Sequence, residues 1–253
     1  MSGHSKWANI KHKKAAKDAK RGKLFTRLAK EITIAAREGG GDPEANPRLR
    51  LAIQNAKAEN MPMENIKRAI QRGTGEIQGE NYEEVIYEGY APLGVAVILE
   101  AITDNRNRTY PLIRSEVNKL GGSIGEPGSV MWNFTRKGVI YIDPQGLTEE
   151  QMLEHILEAG CEDMEYDEER TRVICAFEDM VACQKYFEDK KFKILESKFE
   201  YIPKTTVKID NIEAARKVLK FFDTLEELDD VQNVYGNYEF TDEVLSQLEK
   251  EQN

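Results

Sequence analysis

Lys6, Lys11, Lys13, Lys14, Lys17, Lys20, Arg21, Lys23, Arg27 and Lys30 put ten cations into the first thirty residues, against the single acid Asp18. Ammonium and guanidinium groups at this density neutralise phosphates and release condensed counterions, giving binding that is tight at low salt and largely indifferent to base sequence. Trp7 stands among them with His4 and His12, and an indole plane can stack on an unpaired base. The same composition also suits a solvated lysine-rich helix. The whole chain carries a net charge of -9, so the segment runs against its own protein's sign, the pattern of a surface for a polyanion. Lys6, Trp7, Lys11, His12, Lys13, Lys14, Lys17, Lys20, Arg21 and Lys23 form the leading candidate set.

Further cations extend this set. Arg48 and Arg50 lie near the start of a second helical pattern, with Lys67, Arg68 and Arg72 along a third; these also read as ordinary surface residues. In Asp104-Asn105-Arg106-Asn107-Arg108-Thr109 a strand gives way to a helix, so Arg106 and Arg108 sit where unpaired backbone N–H groups also attract anions. The run reads equally as a capping turn built on Asp104 or Asn105, and the two readings are compatible.

Enzymatic and metal chemistry find no such support. Gly121-Gly122-Ser123-Ile124-Gly125-Glu126-Pro127-Gly128 is glycine-rich, but no Gly-Lys-Ser/Thr opens a helix after it, so it reads as a flexible connection rather than a phosphate cradle. Asp163, Glu165 and Asp167 alternate onto one strand face and read as a solvated face, since a calcium loop wants clustered ligands around a sharp glycine turn. His4, His12 and His155 make no metal-binding pair. Cys161, Cys175 and Cys183 are odd in number and lack Cys-x-x-Cys spacing, indicating neither a disulfide framework nor zinc. With no nucleophile and base to assemble, the expectation is a protein without enzymatic activity, cofactor or metal.

Composition agrees with a folded, non-membrane chain. Of 253 residues 40% are hydrophobic and 32% charged, the mean hydropathy is -0.61, and no apolar run reaches the roughly 18 residues a membrane span needs. The N-terminus lacks the apolar core of a secretory signal, and the cysteine pattern fits a reducing cytoplasm.

The elements that must position these residues follow from periodicity. Residues 1 to 79 carry seventeen bases and eight acids, whereas residues 80 to 253 carry nineteen and thirty-seven, which places a boundary near Gly79. Before it, Leu24, Phe25, Leu28, Ile32, Ala35 and Ala36 repeat at helical spacing up to Gly39-Gly40-Gly41. Asn46-Pro47 then starts a second helix, and Pro62 starts a third that closes at Gly73 and Gly75. Residues 11 to 21 offer only three alanines for burial and read as an arm that orders on a polyanion.

Beyond residue 81 the period becomes strand-like: a hairpin of 84–90 and 94–103, a helix 108–120, and a strand near 131–134. Strand 138–143, helix 148–159, strands 163–168 and 171–177, helix 179–190 and strand 192–202 spell βαββαβ, the ferredoxin-like order. Strand 205–209, helix 211–227 and strand 231–240 complete the set left open at residue 134. The fold class is thus α+β and multidomain: an N-terminal three-helix domain (1–79), an α/β domain (80–134 plus 204–253), and a ferredoxin-like α/β domain (135–203) inserted in it.

Several motifs together resemble one family. Gly3-His4-Ser5-Lys6-Trp7, Ile10-Lys11-His12-Lys13-Lys14, Arg21-Gly22-Lys23-Leu24-Phe25, Asn46-Pro47-Arg48-Leu49-Arg50 and Asn60-Met61-Pro62 are similar to the YebC/PmpR family of bacterial transcriptional regulators and mitochondrial translational activators. The likeness continues through Tyr87-Glu88-Gly89-Tyr90-Ala91-Pro92, the 103–109 run, Gly121-Gly122-Ser123 and Met131-Trp132-Asn133-Phe134. It implies three domains and a cytoplasmic DNA-binding regulator of transcription. The alternative it implies is a ribosome-associated factor that contacts ribosomal RNA and aids synthesis of proline-rich stretches. The resemblance leaves the oligomeric state open.

Overall fold

Breaks at glycine and asparagine divide the basic region into helices. The computed structural model describes residues 21–252. Helix α1 (Arg21–Gly39) buries Ile32, Ala35 and Ala36, and Gly40, at φ +86°, takes the left-handed conformation that ends it. Helix α2 (Pro47–Ala58) begins on its proline, and the Asn46 side-chain oxygen accepts from the Leu49 amide at 3.1 Å. The Asn46 amide nitrogen also donates to the carbonyls of Ala35 (2.7 Å) and Gly40 (2.9 Å). One buried side chain thus starts α2 and closes α1. Gly39 has to be glycine beside it, since a Cβ there would meet Asn46 at 2.5 Å. Asn46→Ala is expected to cost about 1–3 kcal/mol in urea unfolding. Asn46→Asp, which keeps the cap acceptor but loses both donors, should cost no less; a wild-type midpoint for the aspartate variant would rule out the role assigned to the amide. Helix α3 (Met63–Thr74) ends on Gly75, at φ +81°.

The described chain forms two compact units. The first takes the residues up to Ile34 with Gln78–Thr135 and the chain from Ile202. Its sheet has the order β3-β1-β2-β9, where β1 is Glu83–Tyr90, β2 Ala96–Thr103, β3 Ser123–Ile124 and β9 Val231–Gly236. The β1–β2 hairpin pairs antiparallel from Glu83↔Thr103 to Tyr90↔Ala96. Val97, Leu99 and Ala101 on one face of β2 pack with Ile113 and Val117 of α4 (Arg106–Lys119) and with Phe221, Phe222 and Leu225 of α7 (Ile212–Glu226). A separate parallel pair joins β8 (Val207–Ile209) to β10 (Tyr238–Phe240). The single strand expected over 231–240 is divided because Asn237 exchanges hydrogen bonds with the backbone of Ala96 while its carbonyl accepts from Val207, handing the chain from one sheet to the other. Helix α8 (Asp242–Gln252), beyond the last element expected from periodicity, buries Val244, Leu245 and Leu248.

The second unit takes Ala35–Ile77 and Arg136–Tyr201. The strand expected near 131–134 and the one at 138–143 are a 3-10 turn, Met131–Asn133, followed by one long strand, β4 (Phe134–Asp143). After it come α5 (Glu149–Glu158), β5 (Asp163–Glu165), β6 (Thr171–Cys175), α6 (Met180–Asp189) and β7 (Lys193–Pro203), in the sheet order β5-β6-β4-β7. That order, with β6 antiparallel to both β4 and β5, is the ferredoxin-like arrangement. Ile140, Ile142, Met152, Ile156, Val173 and Phe187 fill the layer between sheet and helices. Cys175 and Cys183 share that core, and Cys161 packs against it.

One buried ion cluster crosses this sheet. Arg172 on β6 donates to Glu200 of β7 at 2.6 Å and reaches Glu165 of β5 at 3.2 Å, with all three residues buried. Tyr141 donates to Glu200 at 3.0 Å, and Lys198 lies 3.3 Å from the same carboxylate. Glu165, read from sequence as part of a solvated acidic face, is therefore turned inward onto an arginine.

Candidate nucleic-acid interface

Lys6, Trp7, Lys11, His12, Lys13, Lys14, Lys17 and Lys20 lie outside the described residues, and Arg21 opens α1. The next cations, Lys23, Arg27 and Lys30, are spaced by four and three and so share one face of α1. That face meets the acidic run Glu226-Glu227-Leu228-Asp229-Asp230 at the C-terminus of α7, where helix carbonyls add negative charge. Lys23, half exposed, donates to the Glu227 carbonyl at 3.0 Å and lies 3.4 Å from the Glu227 carboxylate and 3.8 Å from Asp229. Arg27 donates to the Glu226 carbonyl. Burial lowers its pKa, while Glu226, Glu227 and Asp229 act in the raising direction.

Lys30 is 7% exposed, and its ammonium donates to Ile102 O at 3.2 Å, Asp229 O at 3.1 Å and Asp230 Oδ1 at 3.0 Å. Part of the positive charge that the sequence concentrates at the N-terminus is therefore neutralised within the fold. Lys30→Met should strand two carbonyls and one side of Asp230, costing about 3 kcal/mol in chemical unfolding. An unchanged unfolding midpoint would contradict this assignment.

Asp230 connects that face to the 104–109 turn. Thr109 donates to its Oδ2 at 2.6 Å, and Arg108 reaches the same oxygen at 3.1 Å and Asp104 at 2.6 Å. Burial would raise the Asp230 carboxyl, but hydrogen bonds from Thr109, Lys30 and Arg108 more than offset it and hold the pKa below the usual range. Asn105 is the helix cap, accepting from the Arg108 amide at 3.2 Å. Arg106 pairs with Glu83 at 2.7 Å. Arg106 and Arg108 are both more than half exposed at the side chain, and each already holds a carboxylate.

In the second unit Arg48 pairs with Glu38 at 2.6 Å. Arg50 on α2 is half buried, and Lys67, Arg68 and Arg72 are exposed on α3, whose Ile66 and Ala69 are buried. Among the described residues no carboxylate forms an ion pair with any of these four, which distinguishes them from Lys23 and Lys30 of α1.

The glycine-rich connection is pinned rather than loose. Glu88 of β1 is 7% exposed, and its carboxylate accepts from the backbone amides of Gly128 (2.6 Å), Val130 (2.9 Å) and Met131 (2.8 Å). Burial would raise this carboxyl; the three amides together outweigh it and lower the pKa. The loop does form an anion cradle, and its anion is the protein's own. Sequence could not show this, because a lone glutamate on a strand gives no sign of which face it takes or what meets it there. The acidic partner of α1 did leave a signal: a 23/27/30 basic stripe and an acidic run of opposite sign.

A family model described as the TACO1/YebC protein N-terminal domain matches residues 5–76, and one described as the TACO1/YebC second and third domain matches residues 82–238. The chain belongs to the TACO1/YebC family. Among TACO1/YebC relatives, a "Probable transcriptional regulatory protein" of Chloroherpeton thalassium is 56% identical over 249 residues, covering 98% of this chain and 99% of the relative. A protein of the same name from Thermotoga maritima is 52% identical, covering 98% and 100%. The crystal structure of a conserved hypothetical protein from Aquifex aeolicus has a TM-score of 0.85 and 47% identity, covering 90% of this chain and 94% of that one. The N-terminal match takes in both the 6–21 cations and the unmatched set on α2 and α3.

Proposed function

We propose that this TACO1/YebC member is a non-enzymatic, cytoplasmic, DNA-binding regulator of transcription. The observation that carries the reading is the cationic run Lys6 to Arg21. Lys23, Arg27 and Lys30 meet the 226–230 acidic run in the fold, whereas the Lys6–Arg21 run is opposed in the sequence only by Asp18, in a chain whose remainder is strongly acidic. Relatives of full-length similarity named as transcriptional regulatory proteins support it. In this reading Lys6, Lys11, Lys13, Lys14, Lys17, Lys20 and Arg21 grip phosphates, with Arg50, Lys67, Arg68 and Arg72 as secondary contacts. Trp7 and His12 sit among the gripping residues. Lys23, Arg48, Arg106 and Arg108 contribute less, because a phosphate must compete with the carboxylates they hold.

The functional division we propose is a phosphate-gripping domain at 1–79, followed by α/β domains at 80–134 plus 204–253 and at 135–203. Charge supplies affinity without identity, so target choice rests on base-edge or shape readout elsewhere in the chain. Titrating the full chain with duplex DNA at several salt concentrations tests the reading. A linear fall of log affinity with log salt, at about 0.9 per phosphate contact, is expected. Affinity that is weak at low salt and insensitive to salt would refute it.

A further inference from the structure

We propose that Trp132, with Tyr90 and Lys204, forms a stacking platform for an unpaired nucleobase, a site separate from the N-terminal cations. Trp132 is 66% exposed, unusual for so large an apolar surface. Its ring is nevertheless held in place: the indole Nε1–H donates to the Ser129 carbonyl at 3.0 Å. The hydroxyl of Tyr90, itself 39% exposed, reaches the same carbonyl at 3.5 Å, so two aromatic side chains converge on one backbone oxygen. Lys204 donates to the Trp132 carbonyl at 2.9 Å, placing an exposed cation at the base of the ring.

The backbone beneath is fixed by Glu88 through the amides of Gly128, Val130 and Met131. An aromatic face immobilised before binding loses little conformational entropy when a flat partner lands on it. A neighbouring ammonium favours a partner carrying phosphate. A base in a duplex already stacks on its neighbours, so the platform selects single strands, bulges or flipped bases.

The inference rests on the nucleic-acid reading above, and the experiment separates the two. In a Trp7→Phe background Trp132 is the sole tryptophan. The full chain in that background is titrated with a single-stranded oligonucleotide, with a duplex of equal length and with an uncharged apolar peptide, following tryptophan fluorescence, and the affinities of all variants are read from the anisotropy of labelled oligonucleotides. The single strand is expected to quench it. Trp132→Ala should weaken single-strand binding by about five- to hundredfold, leave duplex binding unchanged, and be largely rescued by Trp132→Phe. Oligonucleotide binding with no quenching and no loss in Trp132→Ala would overturn the platform while leaving the nucleic-acid reading standing. Quenching by the peptide alone would assign the site to a protein partner and overturn it too. Failure of the unsubstituted chain to bind either oligonucleotide would sink both readings.

Discussion

Replacing Lys11, Lys13, Lys14 and Lys17 together by glutamine is expected to reduce the salt slope of DNA binding by about 0.9 for each phosphate contact removed, and to weaken binding at low salt on the order of a hundredfold. The loss should be similar on unrelated duplexes, because phosphate contacts position a protein without reading its site. A paired control follows from the structure. Arg27→Gln removes a cation of equal charge from the same basic region, but one that donates to the Glu226 carbonyl. It should lower stability and leave the slope unchanged. If the quadruple variant kept its slope, or Arg27→Gln lost as much as one of the four lysines, the division between phosphate-facing and internally bound cations would fail.

Arg172→Met is expected to destabilise the second unit by about 3–5 kcal/mol, since it leaves the buried carboxylates of Glu165 and Glu200 without their shared counter-ion. A melting temperature lower by about 10 °C is the corresponding observation. Substituting all three residues by apolar side chains of similar volume should recover much of the loss, because what costs is the stranded charge rather than the absent bond. The acid dependence follows the same logic. Burial alone would raise the Glu200 pKa; Arg172 first and Lys198 next outweigh it and hold it at about 2. A carboxylate lowered on folding adds stability above its unfolded pKa of about 4.3, and that stability is lost as pH falls towards the folded value. Wild-type protein should therefore lose this contribution between about pH 4.3 and pH 2, and Arg172→Met should begin its acid unfolding at higher pH. Identical acid limbs would contradict the cluster's role.

Where local chemistry alone decides an element, the sequence was a good guide. Asn46-Pro47 starts α2 and Gly75 ends α3 at the places their capping and left-handed preferences require. The βαββαβ order carried the ferredoxin-like sheet because alternation and helical spacing change cleanly between its segments. Legibility ended where one residue answers to partners distant in sequence. Met131-Trp132-Asn133 looks like a strand by composition, yet it is a 3-10 turn with the indole pinned outward on Ser129. Asn237 divides an apparently continuous strand through bonds to Ala96 and Val207. For the candidate site, sequence located the positive charge but could not sort it. Lys23 and Lys30 look alike in the chain, and only the fold shows one half exposed beside acids and the other buried on carbonyls and Asp230.

We propose that this chain acts on DNA through its cationic N-terminus. Crosslinking the protein in cells and sequencing the nucleic acid recovered with it tests that most directly. Discrete promoter fragments, lost in the quadruple lysine variant, are the expected result. Recovery dominated by ribosomal RNA, or promoter fragments undiminished in that variant, would contradict it.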